Sequence, residues 1–166
     1  MVSSTRPARS GTHTPSSSKP PRILAIDYGR RRIGLAISDE LGLTGQPIRA
    51  MDRRNRRIDL GRLRDLVKQN GVGAILIGLP LHLSGESSEM ATEVAQFASR
   101  VQKELGLPVK LRDERLTSWE AEQMAAELGL RKNAGIDSLA AAILLREYLD
   151  ETTASPGKSK RRGRSQ

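Results

Sequence analysis

The chain has no cysteine and only two histidines. Without thiols it can form neither a disulfide framework nor a thiolate metal site. His13 lies in a segment rich in Ser, Thr and Pro and reads as inert. His82 alone cannot supply a histidine-based triad or a zinc site. Aromatic side chains are almost as scarce: Tyr28, Phe97, Trp119 and Tyr148 are all there are. A platform that stacks the bases of a single strand is therefore not expected, and any nucleic acid would be recognised through its backbone and shape. No apolar run approaches the roughly 18 residues that span a membrane. No apolar stretch follows Arg6 and Arg9, so no secretory signal is read. A cytoplasmic protein without a membrane partner is expected. Neither G-x-x-x-x-G-K-[ST] nor G-x-G-x-x-G is present, which removes the common nucleotide loops.

What the chain has in excess is positive charge, +9 over 166 residues. Its location matters more than its size. Residues 1–21 carry Arg6, Arg9 and Lys19 and no acid, a charge of +3. Residues 151–166 carry Lys158, Lys160, Arg161, Arg162 and Arg164 against Glu151, a charge of +4. Only +2 remains for residues 22–150. The basicity suits a polyanionic partner but belongs mostly to the two ends. Both ends lack the apolar side chains that would offset ordering entropy, so 1–21 and 151–166 read as disordered extensions of one folded domain, 22–150.

That domain is organised around residues 23–39, ILAIDYGRRRIGLAISD. Ile23 to Ile26 form an apolar run typical of a strand buried on both faces. Gly29, able to take positive φ, opens a basic turn of Arg30, Arg31 and Arg32. Ile33, Leu35 and Ile37 then alternate with small residues as a second strand. Residues 46–51 read as a third strand that completes an antiparallel meander. A helix is expected over 55–70, with Leu60, Leu63, Leu66 and Val67 on one face and Gly71 as its stop. Its start carries Arg53, Arg54, Arg56 and Arg57, either a solvated helix end or a phosphate contact. Arginines there oppose the helix macrodipole, which favours a reason other than helix stability.

Residues 72–79, VGAILIGL, form the next apolar strand, reached by a crossover and so parallel to the first. A helix over 87–105 follows, with Met90, Val94, Phe97, Val101 and Leu105 as its core stripe, then a strand over 109–113. Thr117 and Glu120 make a capping box for a helix over 118–130, at whose start Trp119 packs. A basic loop over 129–135 leads to a last helix, 136–149, with Leu139, Ala140, Ile143, Leu144 and Tyr148 inward. The sum is an α/β protein: a mixed five-stranded sheet, three strands in a meander plus two parallel ones, with helices on both faces.

In such sheets sites form beyond the carboxyl ends of the strands, at the topological switch point. Asp27 ends the first strand, Glu114 the last, and Asp137 begins the final helix. Taken singly, Asp137 reads as a helix-start carboxylate and Glu114 as a surface partner of Arg112 or Arg115. Asp27 has the weakest such explanation, because an acid ending a buried strand is costly unless paired or bound to a cation. Three carboxylates without Cys or paired His suit hard cations, Mg²⁺ or Mn²⁺. Two such ions can serve phosphodiester hydrolysis. Arg30, Arg31, Arg32, His82, Arg115 and Lys132 are donors available to phosphate.

Four motifs in order resemble the YqgF family of RuvC-related, ribonuclease-H-like proteins: Asp27-Tyr28-Gly29 through Ser38-Asp39; Gly78-Leu79-Pro80-Leu81 with Gly85; Asp113-Glu114-Arg115-Leu116-Thr117-Ser118; and Gly135-Ile136-Asp137-Ser138-Leu139-Ala140-Ala141. They span about residues 22–150. The resemblance implies a ribonuclease-H-like fold and nuclease activity, with Asp27, Glu114 and Asp137 as metal-binding acids. It points to pre-16S ribosomal RNA 5′ processing, with branched DNA at a Holliday junction as the alternative substrate. A non-catalytic ribosome-assembly protein that binds nucleic acid, or contacts ribosomal particles, is a further alternative. Asn133-Ala134 before Gly135, where members often carry lysine, departs from the pattern, as does His82 where Asn is common. The second acid must also come from the fifth strand, because the strand beside the first ends in Gly-Leu-Pro.

Overall fold

The computed structural model describes residues 19–80, 89–114 and 135–154, with single positions at 123, 126 and 127. Its elements run β1 (Arg22–Tyr28), β2 (Arg32–Ser38), β3 (Gly45–Asp52), α1 (Arg56–Asn70), β4 (Val72–Pro80), α2 (Glu89–Leu105), β5 (Val109–Glu114) and α3 (Ile136–Ala154). The five strands form one sheet in the order β3-β2-β1-β4-β5. β1 pairs antiparallel with β2 and parallel with β4; β4 pairs parallel with β5. The expected meander and crossovers are thus present. The helix expected over 118–130, with its capping box and Trp119, lies outside the described residues.

Strand alternation divides the core in two. Leu24, Ile26, Ile33, Leu35, Ile75 and Ile77 face α1 and α2, where they meet Leu63, Val94, Phe97 and Val101. Ala25, Ala36 and Leu76 face α3 and meet Ala141, Leu144, Leu145 and Leu149. Each fully buried leucine or isoleucine contributes about 1.5–3 kcal/mol. α1 stops at the Gly71 its sequence announces and starts at Arg56, one residue later than expected, behind an Asn55 cap. Asn55 accepts from the Ile58 amide at 3.0 Å, and Gly71 takes the left-handed conformation, φ 64°.

Three local expectations are corrected. α3 buries Ala141, Ala142, Leu145 and Leu149 beside Leu139, Ile143 and Leu144 of the expected stripe, while Ala140 and Tyr148 are half-buried; small residues on both sides (Ala25 and Ala36 in the sheet) let it lie close. It also continues past residue 149 to Ala154, so the folded region extends beyond residue 150. Glu151, read as the start of a disordered tail, forms a two-pronged pair with Arg112 of β5 at 2.8 and 2.6 Å. At the other boundary, Lys19 pairs with Glu40 at 2.8 Å and Pro21 lies on Gly73. Ordered contacts therefore begin before residue 22. Finally, Gly29 does not use positive φ; among the described residues only Gly42, Gly71 and Gly106 do. Its role is spatial, since a Cβ there would collide with the Arg32 carbonyl. No helix among the described residues is long and apolar enough to cross a membrane.

Candidate active site at the strand ends

Asp27 is the last residue but one of β1, with the parity of Ala25, and so lies on the α3 face. Its register partner across β2 is Gly34. Gly34 is completely flanked: a Cβ there would run into the backbone carbonyl of Asp137 and the amide of Ser138. α3 therefore begins directly over Asp27's cross-strand neighbour. The Ser138 hydroxyl, itself buried, accepts from the Leu35 amide at 3.5 Å and adds a second tie at the same point. Two acids far apart in sequence are thus carried to one corner by backbone packing alone.

Glu114 closes β5, opposite Pro80 in β4. It shares the parity of Lys110 and Arg112, whose side chains meet Tyr148, Glu147 and Glu151 of α3. Asp113 has the opposite parity, that of Val109, which packs into the α1/α2 core. Glu114's register position is therefore on the α3 side, with Asp27. β5 stands two strands from β1, about 10 Å at ordinary strand spacing. The Glu114 side chain lies outside the described residues, and among the described residues no group of three acids or histidines is gathered. Asp27 and Asp137 are the two members that the described structure draws together. Their oxygen donors are the chemistry a hard cation takes.

The basic turn after β1 is held from below by Arg53. Its Nη1 donates to the Tyr28 hydroxyl at 2.9 Å and to the Gly29 carbonyl at 3.2 Å. The guanidinium sits 4.6 Å from the centre of the Tyr28 ring, and its own amide donates to the Arg31 carbonyl at 2.9 Å. Asp59, buried in the first turn of α1, lies 3.7 Å from Arg53 Nε and accepts from the Arg54 amide at 3.0 Å. Sequence reasoning grouped Arg53 with its neighbours as a solvated end or a phosphate contact; it is instead an internal clamp. The buried Asp59 five residues after a basic pair was the available signal.

Two of the turn's own arginines are paired at the surface. Arg30 meets Glu93 of α2 at 3.0 Å, and that hydrogen bond, then the carboxylate's charge, raises its pKa further. Arg32 meets Asp52 at 3.0 Å. Arg31 is exposed. His82, Arg115 and Lys132 lie outside the described residues.

The comparisons with known proteins fit this geometry. A family model described as RuvX, Holliday junction resolvase, matches residues 21–151. A Koribacter versatilis (strain Ellin345) protein named "Putative pre-16S rRNA nuclease" is 43% identical over 132 residues, covering 78% of this chain and 86% of its own. One of the same name from Syntrophus aciditrophicus (strain SB) is 44% identical over 132 residues, covering 78% and 88%. Among solved structures, Thermus thermophilus RuvC in complex with Holliday junction substrate superposes with a TM-score of 0.51 at 16% identity, covering 82% of this chain and 98% of that one. Fowlpox virus resolvase with Holliday junction DNA gives 0.50 at 14% identity, covering 79% and 98%. At such identities the likeness is one of fold, and the fold is the ribonuclease-H-like one expected.

Proposed function

This chain belongs to the RuvX (YqgF) family, and from that membership we propose that it is a metal-dependent endonuclease processing the 5′ end of pre-16S ribosomal RNA. The observation that carries the reading is the meeting of Asp27 and Asp137 at Gly34. Asp27, Glu114 and Asp137 would hold Mg²⁺ or Mn²⁺, most simply two ions. When bound, such ions supply water activation and charge neutralisation at the leaving oxygen.

The chain's own residues do the rest. The missing side chain of Gly34 sets how closely Asp137 approaches β2. Arg53 fixes the turn that follows Asp27, so the carboxylate stands on a rigid strand end. Arg30, Arg31 and Arg32, in the turn that follows Asp27, would serve as phosphate donors. The Arg30–Glu93 pair is exposed and screened by solvent, so a phosphate can replace the carboxylate. His82, Arg115 and Lys132 are further candidates for the substrate backbone.

The test is cleavage of a precursor 16S 5′ segment with Mg²⁺ or Mn²⁺ by wild type and Asp27→Asn. Loss of cleavage in the variant is expected, and equal cleavage by both proteins overturns the mechanism. The family's description favours a second reading, cleavage of four-way DNA junctions. Coordinated cutting of two strands needs two sites related by a two-fold axis. A protein that sediments as a monomer on and off a junction removes that reading. If neither substrate is cut but precursor ribosomal particles are bound, the non-catalytic assembly role replaces both.

A further inference from the structure

On the face of the sheet opposite the carboxylates, the edge strand β3 and helix α1 enclose a groove of about 350 Å³. That is the size of a small-ligand site, about 300–1,000 Å³. Its floor is apolar: Leu35, Met51 and Leu66. Its rim carries three exposed arginines, Arg49 from β3, Arg54 from the link just before the Asn55 cap, and Arg62 from α1. Arg62 is held in place by donating to the Asp52 carbonyl at 3.1 Å. The one acid on the rim, Asp52, is already engaged by Arg32 at 3.0 Å.

The register gives this groove its relation to the strand-end corner. β2 residues Ile33 and Leu35 pair with Met51 and Ile48, so Arg49 and Ala50 together stand opposite the single residue Gly34. This bulge lies level with Asp27, because Gly34 is Asp27's partner on the other side. β3 is two strands from β1, about 10 Å away. Bulges at sheet edges commonly re-aim a side chain beside an active site. A charged residue on an edge strand can also serve only to block sheet extension. That explains Arg49 alone; it does not explain Arg54, before the helix cap, and Arg62, on α1, lining the same groove.

We propose that this groove binds a single-stranded segment of nucleic acid, its phosphates on Arg49, Arg54 and Arg62 and a base or sugar on the Leu35–Met51–Leu66 floor. The segment flanks the strand that reaches Asp27, passing round the β3 edge. The inference rests on the nuclease reading for what the segment belongs to. It favours nucleic acid over an acidic peptide because the cations ring an apolar floor on which a base or sugar can rest.

The experiment reads binding, not cleavage. Full-length protein in EDTA is titrated with fluorescein-labelled twelve-nucleotide RNA and DNA of one sequence, over a range of salt. Against wild type, Arg49→Gln/Arg54→Gln is expected to bind about tenfold more weakly. Its log–log salt slope should fall by about 1.4, at about 0.7 per single-strand phosphate contact. The RNA and DNA arms tell which sugar the groove accepts. Binding in EDTA is read without cleavage, so a nuclease reading that fails leaves groove binding measurable on its own. A second readout needs no variant: the ¹³C-methyl resonance of Met51 should shift on adding oligonucleotide while that of Met90, on α2, should not. An unchanged slope in a folded double variant, or an unmoved Met51 methyl at saturation, overturns the proposal. So does an acidic peptide that shifts Met51 where the oligonucleotide does not.

Discussion

Gly34 and Asp137 meet backbone to backbone, so that the start of α3 rests on β2 with no side chain between them. This contact is what lets the start of α3 deliver a carboxylate to the end of β1. Gly34 is needed for space and not for conformation, since its φ is not positive. Gly34→Ala should therefore overpack the contact, at a cost of about 1–3 kcal/mol by urea unfolding. It should also lower cleavage at least tenfold under conditions where the variant is fully folded. A variant with native stability and native activity would show that the approach is not as close as described.

Arg53 joins Tyr28, the turn carbonyls and the buried Asp59. Arg53→Met keeps much of the volume over the Tyr28 ring but leaves Asp59 without its cation, a loss of about 2–4 kcal/mol. Asp59→Asn alone should cost less, because the Arg54 amide can still be accepted. A double-mutant cycle in urea should give a coupling of about 0.5–3 kcal/mol. Additive effects would mean that the 3.7 Å pair is incidental.

Most of the fold was legible because its signals are local. The apolar run through Ile26 and the stop at Gly71 each act within a few residues, and the crossover rule then orders the strands. What was not legible depends on distant partners. Arg53 looks like Arg54, Arg56 and Arg57 until Tyr28 and Asp59 fold around it. Glu151 looks like part of a basic tail until Arg112, 39 residues away, draws it onto β5. Gly34 reads as one small residue in an alternating strand, and its use appears only when α3 lands on it. The acids were suggested by strand ends, but the contacts that bring Asp27 and Asp137 to one corner, at Gly34 and Ser138, appear only in the folded chain.

The Arg112–Glu151 pair makes the last turns of α3 sensitive to pH. The hydrogen bond from Arg112, then its charge, holds the Glu151 carboxyl below the ordinary carboxylate range. A depressed folded-state pKa adds stability that is complete above the unfolded value and is lost as pH falls through the folded one. Amide exchange near the α3 C-terminus should thus quicken as pH drops below the usual carboxylate range, after correction for intrinsic rates. Glu151→Gln should show the faster exchange at neutral pH and little further change on acidification. Identical pH profiles in the two proteins would remove the pair from the account.

The two adjacent acids at the end of β5 should behave oppositely. Asp113 has the parity of Val109 and the α1/α2 core, while Glu114 has the parity of Lys110 and Arg112, whose side chains reach α3. Only a residue of the second kind is on the side of the sheet where Asp27 and Asp137 meet, since side chains alternate strictly along a strand. Glu114→Gln should reduce cleavage by about a hundredfold or more, a loss of about 2.7 kcal/mol of transition-state stabilisation. Asp113→Asn should leave the rate per folded molecule within about threefold. Mg²⁺ titrations add a second readout: the concentration for half-maximal cleavage should rise for Glu114→Gln and stay put for Asp113→Asn. If the two variants exchange behaviours, β5 enters the corner one residue out of the register described, and the acid set must be redrawn around Asp113.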